Sequence, residues 1–267
     1  MITGRGPELE GQGLFHRWKR IRRENRPLYI FHIMLRAAVA CLGIWKLCHG
    51  RWGSFGLCML TLALCDVPSL VEDALKLRVG APIDVVASLF AVSANVCGEI
   101  LGFYLRFPWW DVMLHVIWGF LAGLLGCAFA EASQRARLRP AAAVLTALGF
   151  AALSGVLWEF FEFVMDSLFV WDMQKDAWLR SVNSVLLNPD GVNTAVTVAP
   201  ESVVVDGLPW PGLLDPGLRD TVSDLFLNFL GSLAAALALL IRPRPKLLRG
   251  LMPAPFSDAE EDNDENR

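Results

Sequence analysis

Trp158-Glu159-Phe160-Phe161-Glu162-Phe163-Val164-Met165-Asp166 is the stretch whose reading decides the fold. It closes an apolar run that begins near Pro140 and exceeds the roughly 20 residues a helix needs to cross a bilayer. Three acids lie in that run. A carboxylate at mid-membrane costs about 2.5–3.5 kcal/mol, less near the interface, and such groups persist where they face each other, a cavity or an ion. The run therefore reads as a transmembrane helix with one polar edge. Asp111-Val112-Met113-Leu114-His115 and Asp220-Thr221-Val222-Ser223-Asp224-Leu225-Phe226-Leu227-Asn228 repeat the pattern on two further apolar stretches.

Working outward, the chain has 267 residues, 54% of them hydrophobic, and a mean hydropathy of +0.43. These values exclude an ordinary soluble domain and fit an integral membrane protein. The fold class expected is all-α, a polytopic bundle of about six spans. They run at about 28–48, 53–72, 82–104, 109–131, 140–168 and 221–241. Residues 1–27 form a basic leader, an outer loop covers about 170–219, and 242–267 is a tail, basic and then acidic. The acids from Asp258 to Glu265 mark its end as a solvated, disordered block. Pro68 breaks the second span, and Arg36 within the first needs a partner.

Lys and Arg set the orientation. With the N-terminus inside, 16 fall on inner segments and 6 on outer ones, leaving out Arg36 and Arg267. The inner set is the leader, Lys76, Arg78, Arg135, Arg137, Arg139 and the run from Arg242 to Arg249. Both termini are thus expected in the cytoplasm, with the protein in a bacterial-type inner membrane and the first apolar segment, behind the basic leader, acting as an uncleaved start-anchor. Trp45, Trp52, Trp109, Trp110, Trp171, Trp178 and Trp210 fall at outer span ends or beyond, like an interfacial belt. The leader is too short to suggest nucleic-acid binding; beside a span it reads as a topology signal and a contact for anionic lipid. Cys41, Cys48, Cys58, Cys65, Cys97 and Cys127 lie in or beside apolar segments with no C-x-x-C pair. They read as small buried residues.

In the outer loop, Asn188-Pro189-Asp190-Gly191 reads as a turn. The β-rich runs Thr194–Val198 and Ser202–Asp206 read as the two arms of a short hairpin. Gly207 to Gly217 then reads as an irregular approach to the last span. A lid over the polar site and mere decoration both stay open for this loop.

Topology brings the three acidic runs to the outer half of the membrane. At about 100° per residue, Asp111 and His115 differ by about 40°, and Glu159 and Asp166 by about 20°. Asp220, Asp224 and Asn228 follow one stripe. Gly119 and Gly123 continue the His115 stripe and Gly231 lies beyond Asp224, small residues that let helices approach closely. Spans four, five and six are expected to face one another around a polar pocket, with Glu99 of span three as a further contributor. Carboxylates beside an imidazole suit Mg²⁺, Mn²⁺, Fe²⁺ or Zn²⁺. The expected ligands are Asp111, His115, Glu159, Asp166 and Asp224. The candidate acid–base groups are His115, Glu159 and Glu162, and Glu99, Asp220 and Asn228 complete the pocket. Bland roles stand beside these: helix caps for Asp111 and Asp220, an interfacial position for Asp166, and an interhelical hydrogen bond for His115.

The chain resembles the uncharacterised YjdF-like inner-membrane protein family. The resemblance lies in Gly98-Glu99-Ile100-Leu101-Gly102-Phe103-Tyr104, Pro108-Trp109-Trp110-Asp111 through His115 with Gly119, and Trp158 through Phe163 with Asp166. It continues in Met173-Gln174 and in Asp220 through Leu225 with Asn228 and Gly231. It covers roughly residues 30–240 and implies a shared membrane fold and no assigned reaction. A fainter, motif-level likeness to VanZ-like membrane proteins implies cell-envelope work. There Val112 replaces the usual Lys, and Glu162 stands where Gln is common.

Three classes of function stay open. One is a metal-dependent enzyme acting on a lipid or lipid-linked substrate at headgroup depth. A second is a proton- or cation-coupled transporter. The third is a non-catalytic envelope protein whose polar groups only pack helices.

Overall fold

The computed structural model describes residues 14–75, 79–134, 138–169, 172–200 and 202–241. Arg5, Lys76, Arg78, Arg135, Arg137, Trp171, the basic run from Arg242 and the acidic tail lie outside the described residues. Among the described residues, six helical segments are long and apolar enough to cross a membrane: Arg26–Cys48, Trp52–Ala74, Ala81–Ile100, Trp109–Glu131, Pro140–Phe169 and Leu218–Ile241. The protein is an all-α polytopic bundle with one extended loop.

A short amphipathic helix, α1 (Leu14–Glu24), precedes α2 (Arg26–Cys48). Asn25 separates them because its side chain accepts from the Leu28 amide, capping α2 just ahead of Pro27. The second span is two helices, α3 (Trp52–Leu64) and α4 (Val67–Leu75). Pro68 cannot donate to a continuing ladder. The chain stops at Cys65 and restarts with the Asp66 carbonyl accepting from Ser69 and Leu70. The third span begins as α5 (Ala81–Val92) and continues as a π-helix, Ser93–Ile100. Gly102, at φ +72, then turns the chain into α6 (Phe103–Arg106), whose Tyr104 ring lies on Gly98. A Cβ there would come within 2.3 Å of it. The remaining helices are α7 (Trp109–Gln134), α8 (Pro140–Phe169) and α9 (Leu218–Ile241).

The chain divides into two compact units, within α8 after Ala152 and within α9 after Phe226. In the first unit, glycines set the crossing of α7 and α9. A Cβ on Gly119 would lie 2.1 Å from the Asn228 carbonyl oxygen, and one on Gly231 would lie 2.1 Å from that of Val116. Backbone meets backbone at both points, which only glycine permits. Gly126 accepts the Phe150 side chain in the same way. Around these contacts Leu124, Ala147, Ala235 and Ala236 are almost fully buried.

A second feature of this unit is a buried ionic network. The Arg17 guanidinium donates to Glu72 (3.0 Å), to the Ser69 hydroxyl (2.7 Å) and to Asp84 (2.8 Å). Arg20 also reaches Glu72, which accepts the Val79 amide besides. His32 Nε2 lies 3.2 Å from the same Asp84 oxygen. Arg17, His32, Glu72 and Asp84 are all buried, Asp84 completely. One turn along α2, Arg36 finds its partner in Asp66, at 2.7 Å. The basic leader is therefore not only a topology signal: two of its cations are spent inside the protein, holding α1 against α4 and α5.

The second unit holds the end of α8, the loop and the first turns of α9. The loop has six strands of three residues each: β1 (Ala177–Leu179), β2 (Val182–Ser184), β3 (Val196–Val198), β4 (Val203–Val205), β5 (Leu208–Trp210) and β6 (Leu213–Asp215). They form three antiparallel pairs, β1–β6, β2–β3 and β4–β5. Here the expected hairpin is corrected. Its two arms exist as β3 and β4, but each pairs elsewhere. Asp206 and Gly207 take φ +53 and +80, the two positive values a tight type I′ turn demands. They join β4 to β5 with Val203 opposite Trp210. The segment read as irregular thus contains a tight two-residue hairpin turn and its return strand. The Asn188–Gly191 turn is present, with the Asp190 amide donating to the Asn188 side chain and Gly191 at φ +63.

Candidate functional site

Glu159 and Glu162 lie three residues apart on α8 and share one face of it. Both are buried, while Phe160, Phe161 and Phe163 between and beside them are 62%, 45% and 60% exposed. The helix turns its aromatics outward and its acids inward, as a lipid-facing helix with a polar edge must. Asp224, buried on the second turn of α9, completes a group. Glu159, Glu162 and Asp224 each offer a carboxylate oxygen, and the three oxygens lie within 4.8 Å of one another. The Trp158 indole N–H donates to Glu162 Oε1 at 2.9 Å and fixes that carboxylate.

Two ionised carboxylates at such a separation repel by about 3–4 kcal/mol at an effective dielectric constant of about 20. Three such pairs approach the whole stability of a typical protein, about 5–15 kcal/mol. A cation, shared protons or neighbouring donors offset such charge. An all-oxygen donor set suits a hard divalent ion.

Asp166 and Asp220, expected beside this group, hold the loop. Both Asp166 oxygens accept backbone amides, from Met173 at 2.7 Å and Gln174 at 2.8 Å. Asp220 accepts the Lys175 amide at 2.7 Å, and the Gln174 side chain donates to Thr221. Gly217, at φ +100, lies under Gln174. Met173-Gln174-Lys175 is thus a clasp joining the end of α8 to the start of α9. Asp166 is thus an anchor of this loop segment, with one backbone amide on each carboxylate oxygen. Four acids crowd this region, and the Asp176 carboxyl is pushed above its ordinary value. Loss of surrounding water is the first cause, the charges of Asp172, Asp166 and Asp215 come next, and Lys175 opposes them.

In the first unit, Asp111 and His115 pair along α7, with Oδ1 to Nε2 at 3.5 Å. Asn228 is buried where α9 crosses Gly119. Glu99 is exposed on the π-helix, whose inward positions are Val96 and Gly98. The wider turn of a π-helix moves the inward face away from where an α-helical count puts it.

Sequence reasoning passed over Asp84, His32 and the inward role of Arg17. Signals were there to read. His32 and Arg36 share a stripe on α2, Ser69 and Glu72 one on α4, and Asp84 and Ser88 one on α5.

No curated protein and no solved structure matches the chain. The model of one family does, over residues 28–244, from the first span to just past the last. By that match, which takes in every membrane helix and the clasped loop but not the leader, the chain belongs to the family described as predicted membrane protein (DUF2238).

Proposed function

We propose that Glu159, Glu162 and Asp224 hold a divalent cation and that the protein is a metal-dependent membrane enzyme acting on a lipid or lipid-linked substrate. The observation that carries this reading is three buried carboxylate oxygens within 4.8 Å of one another. A cation bound among these oxygens would offset their mutual repulsion. A cation so held polarises a phosphate oxygen or activates a water. Mg²⁺ or Mn²⁺ fits the oxygen donors best; Fe²⁺ or Zn²⁺ would call for an imidazole as well. The Trp158 indole N–H holds Glu162 in orientation, as hydrogen-bond partners of ligating carboxylates do. With the termini in the cytoplasm of a bacterial-type inner membrane, as the Lys and Arg distribution and the YjdF-like resemblance support, the group lies towards the outer headgroups. There a lipid phosphate would meet it. The Asp111–His115 pair is a carboxylate-oriented imidazole and a candidate proton carrier.

Elemental analysis of detergent-purified protein, wild type beside Glu159→Gln/Asp224→Asn, tests the reading. Near-stoichiometric metal in the wild type and none in the double variant is the expected result. No metal in either, after handling without chelators, sinks it. Weight then moves to a proton- or cation-coupled carrier, which a triad able to share protons also supports. Cation flux in liposomes, abolished by Asp224→Asn, is the signature of that second reading.

A further inference from the structure

We propose that the elbow between α1 and α2 binds the headgroup of an anionic phospholipid. The argument begins with how α1 divides its cations. Arg17 and Arg20 turn inward onto Glu72, Ser69 and Asp84. Lys19, Arg22 and Arg23 remain exposed, and Arg26 follows just beyond the Asn25 cap. The bend leaves a cavity of about 520 Å³ lined by Arg22, Arg26, Tyr29 and Ile30. The Arg22 guanidinium stands 5.9 Å from the centre of the Tyr29 ring, which holds it over the cavity. Among the described residues, neither Arg22 nor Arg26 forms an ion pair.

The shape of the site matches a lipid better than a soluble anion. Arg26 opens a membrane-spanning helix, so the cavity stands at the boundary where headgroups lie. Ile30, Ile33 and Met34 continue from Arg26 at helical spacing and are 47%, 47% and 67% exposed. Two guanidinia thus head a stripe fit for an acyl chain. Arginine pairs bind phosphate oxygens through several N–H groups at once. A net positive cavity favours phosphatidylglycerol and disfavours the cationic choline of phosphatidylcholine. The ion pairs of Arg17 and Arg20 give the site its rigidity, since they fix α1 and with it the angle of the elbow. The proposal does not depend on the carboxylate group of α8 and α9.

Native mass spectrometry of the full-length protein in neutral detergent, titrated with phosphatidylglycerol or phosphatidylcholine, tests it. Saturable binding of phosphatidylglycerol, about tenfold or more tighter than phosphatidylcholine, is expected. Arg22→Gln/Arg26→Gln should weaken it by about tenfold or more, from roughly fivefold per basic group near an anionic headgroup. Lys19→Gln/Arg23→Gln, on the same helix but outside the cavity, should change it by less than about threefold. Ile30→Asp keeps both guanidinia and puts a carboxylate in the cavity; it should abolish binding. Equal loss in the two glutamine pairs would show only a diffuse field and overturn the site. Equal affinity for the two lipids, retained binding in Ile30→Asp, or displacement by millimolar inorganic phosphate would each overturn it too.

Discussion

At the scale of single residues, the chain uses buried charge in two distinct ways. Asp84 and Glu72 are neutralised by Arg17 and Arg20, and Asp66 by Arg36, so those acids are balanced within the chain. Glu159, Glu162 and Asp224 are acids gathered with acids. The first arrangement is structural, and the second is one that a bound cation would stabilise. Removing one partner of a buried ion pair leaves the other charge stranded, at a cost of about 3–5 kcal/mol. Arg17→Ala should therefore lower the melting temperature in detergent sharply. Glu159→Gln should leave it unchanged or raise it in the absence of divalent ions, because it relieves repulsion. Thermal melts with and without chelator separate the two behaviours. Trp158→Phe keeps the ring but deletes the N–H that holds Glu162. It should weaken metal binding about 10-fold or more while leaving the melt in chelator unchanged, as titration calorimetry would show.

At the scale of elements, glycine positions and loop acids give the sharpest forecasts. Gly231→Ala forces a Cβ against the Val116 carbonyl and must push α9 off α7, at a cost of about 1–3 kcal/mol. Gly149→Ala meets nothing within 4 Å; it should be neutral or gain about 0.5–1 kcal/mol from helix propensity. Melting the two variants side by side checks the crossing. In the loop, the carboxyl of Asp176 has a raised folded-state value. Its contribution is therefore fully present below the ordinary carboxylate range and lost as pH rises through the folded value. Asp176→Asn should increase hydrogen-exchange protection of the β1–β6 ladder at neutral pH. The difference from wild type should vanish in acid, where Asp176 is protonated.

The same scale shows what was legible in the sequence. The helices were, because about 20 apolar residues in a row have few other fates. The acids of α8 and α9 stood out against an apolar background for the same reason. The loop pairing was misread because β-branched composition marks strands but not partners. Only the positive φ values at Asp206 and Gly207 select which strand turns back on which. The Arg17 network was hidden because its members come from α1, α2, α4 and α5, and no periodicity links one helix to another. The anchoring role of Asp166 depends on backbone amides, which every sequence contains and none displays.

At the scale of the whole molecule, the Lys and Arg distribution predicts both termini on the cytoplasmic face and the loop outside. In a cysteine-free background, Asp190→Cys should react with a membrane-impermeant maleimide added to intact cells. A cysteine placed in the leader should react only after the membrane is opened. The reverse pattern would invert the topology and move the α8–α9 carboxylates to the inner leaflet.

The β1–β6 ladder pairs Ala177 with Asp215 and Leu179 with Leu213, and the Met173–Lys175 clasp lies just before it. The loop is therefore stitched shut at its base, and the chain between Arg180 and Gly212 hangs from a closed ring. An epitope or a small folded reporter inserted at the Asn188–Gly191 turn would leave both stitches intact. Even a protease cut there should leave two pieces that travel through purification as one.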